Sequence, residues 1–285
     1  MTQPMRAQGT LEAIARRAGF RDVAFVYEPI AAAHHYERTV EREELALIAD
    51  IGGGTSDFSI VRVGPRQRGR PDRGQDVLAT AGVHLGGTDF DSALSLAAVM
   101  PLPGLGTWLV EKDLPVPNAP YYELATWATI NFAFNCKNER EIAELAAFAC
   151  EPEKVERLLK VVRQRLGHRL AFAVEDAKIA LSAAERAEVS LAFLETGLAA
   201  TTTGVGFDRA VEAAMDRLHK AARDCIAAAG VGPAAIDTIF LTGGSSRVPA
   251  VRAAIARAAP SARLAGDSDL LSVALGLTQI AGISS

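Results

Sequence analysis

Two carboxylates, three consecutive glycines and a threonine stand together in Asp50-Ile-Gly-Gly-Gly-Thr-Ser-Asp57, at the end of an apolar run. Leu45 to Ile51 reads as a buried strand and Phe58 to Val63 as its partner, which puts Gly52, Gly53 and Gly54 at a hairpin bend. Without Cβ atoms, the backbone N–H groups of such a bend can approach a polyphosphate. Asp50 and Asp57 then flank the bend. One is able to hold Mg²⁺ through water and the other to orient an attacking water, which is most of what phosphoryl transfer asks of a protein. A glycine-rich hairpin is also ordinary turn chemistry, so this segment alone leaves both readings open.

A second glycine pair follows the strand Ile236 to Leu241, in Thr242-Gly-Gly-Ser-Ser-Arg247, ahead of a helix with Pro249 in its first turn. Gly243 and Gly244 let the backbone come close to a nucleotide, and first-turn N–H groups, Ser245 among them, favour phosphate or ribose oxygens. Arg247 can stack on a purine or pair with phosphate. A tight strand-to-helix turn accounts for the same residues. Glu175, Lys178 and Ser182 lie three and four residues apart, hence on one helix face, which could contact ribose and base or simply face solvent. Gly86 and Gly87 open a further helix from about Thr88.

The elements that must position these groups follow from periodicity. Residues 10 to 18 have helical spacing, Asp22 to Tyr27 reads as a short strand, and Ile30 to Tyr36 as a helix. Strands at 45–51, 57–63 and 77–83 begin a sheet in antiparallel fashion. Prolines and glycines crowd 101–120, marking a long irregular connection, and Tyr121 to about Ser182 is helical with breaks near Cys150 and Gly167. Ala187 to Phe193 returns to strand, and a long amphipathic helix spans Phe207 to Ala229. The last helix, about Leu270 to Ala281, is almost wholly apolar and is expected to be buried between layers.

With 285 residues, 49% hydrophobic and 22% charged, the chain has the composition of a globular α/β protein of one large or two modest domains. A net charge of −4 argues against nucleic acid or an anionic membrane as partner. The one basic cluster, Arg66, Arg68, Arg70 and Arg73, reads as a solvated loop between strands. Cys136, Cys150 and Cys225 have neither metal-ligand nor redox spacing and are expected to be small buried or half-buried hydrophobes. No run of bilayer-spanning length escapes charge or proline, and residues 1 to 20 contain no apolar signal core, so a cytoplasmic protein is expected.

Taken in order, these segments resemble the seventy-kilodalton heat-shock (DnaK-type) chaperones. Asp50 to Asp57 is similar to the second phosphate motif of actin-fold ATPases, and Tyr27-Glu-Pro-Ile-Ala-Ala-Ala33 to the connecting segment ahead of it. Gly86-Gly-Thr-Asp-Phe-Asp91 is similar to the family's Gly-Gly-Glu-Asp-Phe-Asp turn, Glu175 to Ser182 to its adenosine-contacting helix, and Thr242 to Pro249 to its adenosine motif. Met100 to Gly104, the Tyr121 to Asn135 helix and Gly266-Asp-Ser268 look most like the YegD-type branch.

The resemblance implies an actin-like ATPase (ribonuclease H-like) fold: a mixed sheet with flanking helices plus a largely helical insert. It further implies ATP or ADP with Mg²⁺ as cofactors, and unfolded client proteins or co-chaperones as partners. Asp50 and Asp57 would hold the hydrated metal, Thr55 would bond the γ-phosphate, and Glu28 and Asp57 would orient or deprotonate water. Gly52, Gly53, Gly54, Gly86 and Gly87 would cradle phosphates, and Glu175, Lys178, Ser182, Gly243, Gly244, Ser245 and Arg247 would surround adenosine.

The family's first phosphate hairpin and catalytic Lys have no match before Glu28. Residues 1–44 are therefore expected to be a remnant of the first lobe. Residues 45–265 would form the second lobe, with a sheet subdomain at 45–84 and 203–265 and an insert at 85–202, and 266–285 would return to the first lobe. Leu270 falls near an acidic position of the last motif, and Ile179 stands where many members have an adenine-stacking Arg. Hydrolysis by this chain alone is thus in question. A non-hydrolysing binding module that self-associates through an apolar face on helices 30–36 and 270–281 is the alternative, followed by an enzyme reactivator or sugar kinase on the same fold.

Overall fold

The computed structural model describes residues 3–68, 70, 73–110, 114–265 and 272–283. The chain opens with helices α1 (Gln3–Arg17) and α2 (Glu28–Tyr36), then strands β1 (Glu44–Ile51), β2 (Ser56–Val63) and β3 (Val77–Val83). Helix α3 (Gly87–Leu94) leads to the two-residue strands β4 (Trp108–Leu109) and β5 (Leu114–Pro115), and to helices α4 (Ala119–Ala125), α5 (Cys136–Phe148), α6 (Pro152–Arg163) and α7 (Gly167–Leu181). The hairpin β6 (Arg186–Ser190) and β7 (Ala199–Thr203) precedes the long helix α8 (Gly204–Ala228). Strand β8 (Thr238–Thr242), helix α9 (Pro249–Ala256), strand β9 (Arg263–Ala265) and helix α10 (Ser272–Ile283) complete the order.

The main sheet runs β3-β2-β1-β8-β9, with β1, β2 and β3 antiparallel and β1, β8 and β9 parallel. It is a mixed sheet with flanking helices, as expected. Strand β1 is central and covered on both faces, and its period of two decides what each face receives. Leu47, Ala49 and Ile51 join the core that includes Phe207, Val211, Met215 and Leu218 of α8. Ala46 and Ile48 turn the other way, into a second core with Ile30, Ala32, Ala33 and Tyr36 of α2. Asp50 shares that second face by alternation, at the strand end nearest the start of α2.

Several elements depart from the sequence reading. Residues 22–27 form no strand, because no neighbouring strand among the described residues offers them a ladder; Phe25 and Tyr27 stay exposed. Helix α2, expected to show an apolar face, is buried instead: α10 crosses it so closely that a Cβ on Gly276 would collide with the Ala31 backbone. The far side of α10 is the exposed one, with Leu275 and Leu277 outward, so this helix is not buried between layers. Cys136 and Cys150 are exposed and only Cys225 is buried. The crowded 101–120 region carries the small β4–β5 hairpin. Gly69, Pro71, Gly266, Asp267, Ser268 and Leu270 lie outside the described residues.

The arginine loop is solvated at Arg66, Arg68 and Arg70, as expected, but Arg73 is buried and Arg68 is tied to the backbone. Arg68 donates to the carbonyls of Glu37 and Val40, and Arg73 is 3% exposed. Arg73 grips the Glu37 carboxylate with both terminal nitrogens, at 2.9 and 2.7 Å, and its Nε donates to Asp76 at 2.5 Å. Burial pushes the Glu37 carboxyl up even so, with Arg73 pulling it back. Arg73→Ala would strand that carboxylate and should cost about 3–5 kcal/mol at pH 7. An unpaired Glu37 has a folded pKa above its unfolded one, so the loss should shrink as pH falls below the folded value. Urea denaturation at pH 7 and pH 5 checks both statements; a loss under about 1 kcal/mol at pH 7 would mean that the triad is solvated after all.

Candidate functional site

The β1–β2 turn closes on itself through Gly52 N–H donating to Thr55 O at 2.9 Å. Its carbonyls then gather two other segments. Gly52 O accepts from Gly87 N–H at 3.0 Å and from the Ser245 hydroxyl at 3.1 Å, and Gly53 O accepts from Thr88 N–H at 2.7 Å and its hydroxyl at 2.9 Å. Such contacts need bare backbone: a Cβ on Gly86 would lie 2.7 Å from Gly52 O, and one on Gly87 would lie 2.5 Å from Ser245 Oγ. Among the described residues, the N–H groups of Gly53, Gly54 and Thr55 have no protein acceptor, and all three residues are exposed. They form a ready donor set for an anion.

Beside this turn opens a cleft of about 730 Å³. Gly52, Gly53, Gly87 and Thr88 line one side, Glu175, Lys178 and Ile179 of α7 with Ser182 just past its end another, and Gly244, Ser245 and Arg247 a third. The Glu175, Lys178 and Ser182 face thus meets both glycine turns. Lys178 is buried and sits 2.9 Å from the Asp91 carboxylate, with its ammonium also donating to Gly87 O at 3.4 Å. Burial holds the Asp91 carboxyl above its ordinary range, and Lys178 opposes that shift. Asp91 was not among the sequence-derived site residues. Its position four residues after Gly87 on α3 was the signal available, because that spacing returns it to the glycine's side of the helix.

Gly243 has φ +82°, the left-handed region, and a Cβ there would come within 2.5 Å of Asp50 Oδ1. It shapes the site without lining the cleft, as Gly86 does; Gly54 and Thr55 stand at the exposed hairpin tip.

The three carboxylates gather in a separate niche on the α2 side of the sheet, a cavity of about 30 Å³ lined by Glu28, Asp50 and Asp57. The register sets Asp50 directly opposite Asp57 across β1 and β2, an arrangement of like charges that weakens a sheet. Helix α2 begins at Glu28, with Pro29 next, so Glu28 enters the niche from the helix's positive end. Burial first, then Glu28 and Asp57, push the Asp50 carboxyl up to about 6. Oxygen-only donors crowded at a charge penalty suit a hard cation such as Mg²⁺. Among the described residues no group of three or more His, Cys, Asp or Glu side chains is arranged to hold a metal directly, so water must complete any such shell.

A mixed sheet with helices on both faces, glycine turns at two strand ends and a helix face closing one cleft is an actin-like ATPase fold. The sequence model of the Hsp70 protein family matches residues 5–99 and 144–285, and the chain belongs to that family. It is 29% identical over 246 residues to "Chaperone protein DnaK" of Thermus thermophilus, covering 83% of this chain and 31% of the relative. It is 29% identical over 249 residues to "Chaperone protein dnaK" of Guillardia theta, covering 85% and 31%. With "Chaperone protein HscA" of Pectobacterium carotovorum the identity is 30% over 247 residues, covering 86% and 29%. The alignments therefore span about a third of the length of these curated relatives.

The crowded Asp50 has a stability consequence whose sign is fixed. Its folded pKa of about 6 exceeds the ordinary 3.8, so ionising it disfavours the fold above that value and not below the ordinary one. Asp50→Asn should gain about 1 kcal/mol at pH 7.5, after allowance for solvent screening of a half-exposed group. The gain should fade between pH 6 and pH 4. Denaturant titrations at pH 7.5 and 4.5 measure it; an equal effect at both would remove the charge crowding as its cause.

Proposed function

We propose that this chain binds Mg-ATP and Mg-ADP in the cleft between the two glycine turns and α7, as a chaperone-like member of its family. The observation that carries the reading is convergence: segments around residues 52, 87, 178 and 245 line one cavity although they lie far apart in sequence. Free N–H groups of Gly53, Gly54 and Thr55 would take the phosphates, with the Thr55 hydroxyl on the γ-phosphate. Glu175, Lys178, Ser182, Gly244 and Arg247 would surround adenosine, supported by Gly243 and Ser245.

Asp50 and Asp57 would hold hydrated Mg²⁺, which when bound screens the phosphate charge. Glu28 and Asp57 would orient water or accept its proton, giving the hydrolysis that intact relatives would couple to lobe movement. In this reading residues 45–84 and 203–265 form the sheet subdomain and 85–202 the insert. Placement in the YegD-like branch rests on Met100 to Gly104 and Tyr121 to Asn135. The curated relatives' names as chaperones extend the proposal to unfolded clients and co-chaperones.

A second reading, a non-hydrolysing module that associates through its N-terminal face, is favoured by exposed side chains there: Phe20 is 65% and Tyr27 76% exposed. Isothermal titration with Mg-ATP and Mg-ADP tests the first reading, with Asp50→Asn and Gly244→Trp as controls. Binding should vanish when an indole fills the cleft at Gly244, and Asp50→Asn should weaken it in magnesium but not in EDTA. No heat and no thermal shift from a folded chain would sink the nucleotide reading. Sedimentation at micromolar concentration decides the second: a monomer removes it.

A further inference from the structure

A second cavity of about 240 Å³ adjoins the larger cleft and shares Thr88, Asp91 and Glu175 with it. Of its lining, the nucleotide reading uses Glu175 alone. Leu124, Trp127 and Phe172 give it an apolar lining, while Asp91, Ser95 and Glu175 supply the polar groups that matter. The Ser95 hydroxyl is decisive. It is 2% exposed and has no hydrogen-bond partner, although a buried hydroxyl left unpaired forfeits about 1–3 kcal/mol.

The backbone around Ser95 is also unusual. The helix that begins as α3 winds into a π turn over Ser95–Val99, closed by Met100 N–H donating to Ser95 O at 2.8 Å. Such turns recur at functional sites.

Charge and aromatic geometry narrow the ligand. Among the described lining residues two are carboxylates and none is cationic. Lys178 already balances Asp91, and Glu175 has no ion pair among the described residues, so one of its two carboxylate oxygens can serve this cavity while the other faces the cleft. Trp127 meets Phe172 edge to face, with ring centroids 5.5 Å apart at 69°, and His168 at 5.1 Å and 71°, yet Trp127 and Phe172 stay 45% and 53% exposed, which leaves ring surface for a ligand. Exposed aromatic surface beside a carboxylate suits a cation with an apolar body. The unpartnered Ser95 hydroxyl can accept from an N–H, which a primary ammonium has and a quaternary one lacks. Leu124 and Trp127 also lie within 100–143, the stretch that the family model leaves unmatched, so this cavity is closed by residues peculiar to this part of the chain.

We propose that this second cavity is a binding site for a small primary ammonium ion carrying an apolar or aromatic group. Its ammonium sits between Ser95 Oγ and the Glu175 carboxylate, and its apolar body lies against Leu124, Trp127 and Phe172. The volume falls just below the range of about 300–1,000 Å³ usual for drug-sized ligands, so a single ring fits and a nucleotide does not.

The chain has two tryptophans, and Trp108→Phe leaves Trp127 as the sole reporter. That protein is titrated at constant ionic strength with benzylammonium chloride, and in parallel with sodium benzoate and benzyltrimethylammonium chloride. Benzylammonium should give a saturable change in Trp127 emission, at least tenfold tighter than the quaternary ion, and benzoate none. Adding Ser95→Ala should weaken the benzylammonium response about tenfold, and Ala171→Phe, which fills the cavity from a half-buried helix position, should abolish it with the melting temperature kept as a control of folding. A response that does not saturate, that benzoate reproduces, or that survives Ala171→Phe in a folded protein overturns the proposal.

Discussion

Two carbonyl oxygens, those of Gly52 and Gly53, hold the working end of this molecule together. They accept from the start of α3 and from the turn after β8, so the hairpin tip, a helix N-terminus and a second strand end become one surface. A hairpin normally satisfies its own carbonyls or leaves them to water. Here they are spent on tertiary contacts, which leaves the N–H side of the same peptides facing outward. One set of peptide planes therefore braces the site and supplies its anion donors. The glycines at 86 and 87 are the counterpart of this arrangement, since any Cβ there would separate the segments.

The strand period carries the second constraint. Because Leu47, Ala49 and Ile51 must face the α8 core, Asp50 has to face α2, where Glu28 begins the helix and Asp57 stands across the hairpin. Moving the register by one residue would part the carboxylates but turn Leu47, Ala49 and Ile51 toward α2 and drive Asp50 into the apolar α8 core. Hydrophobic burial thus enforces an electrostatic arrangement that is unfavourable by itself, and among the described residues the niche has no direct ion pair.

Much of this was legible in the sequence wherever the signal was local. The strands read at 45–51, 57–63 and 77–83 lie within one residue of those observed, because alternation and the glycine bends mark both their faces and their ends. The cleft residues on α7 followed from spacings of three and four. Failures occurred where a partner distant in sequence decides. Val23, Phe25 and Val26 have strand propensity, yet a strand exists only by pairing. Arg73 looked like a solvent residue in a charged loop, and its partner Glu37 lies 36 residues upstream. The apolar α10 was expected inside, but only the side carrying Gly276 is used, and no composition rule distinguishes a helix that docks through one small residue from one that is enclosed.

The protein buries carboxylates in two contrasting ways, and the contrast is informative. Glu37 is almost wholly enclosed, and Arg73 answers it with two hydrogen bonds, so its charge is compensated and immobile. Asp50 is less enclosed, yet its nearest charged neighbours are other carboxylates. Structural burial of charge supplies a partner; a niche that gathers like charges around a partly buried group has been left one cation short. Desolvation acts on both residues, so burial alone does not mark function. The sign of the neighbouring charge does, because only the second arrangement gains free energy when a cation arrives from outside the chain. By that criterion the niche of Glu28, Asp50 and Asp57 fits the metal role proposed for it, whereas the triad around Arg73 is already complete.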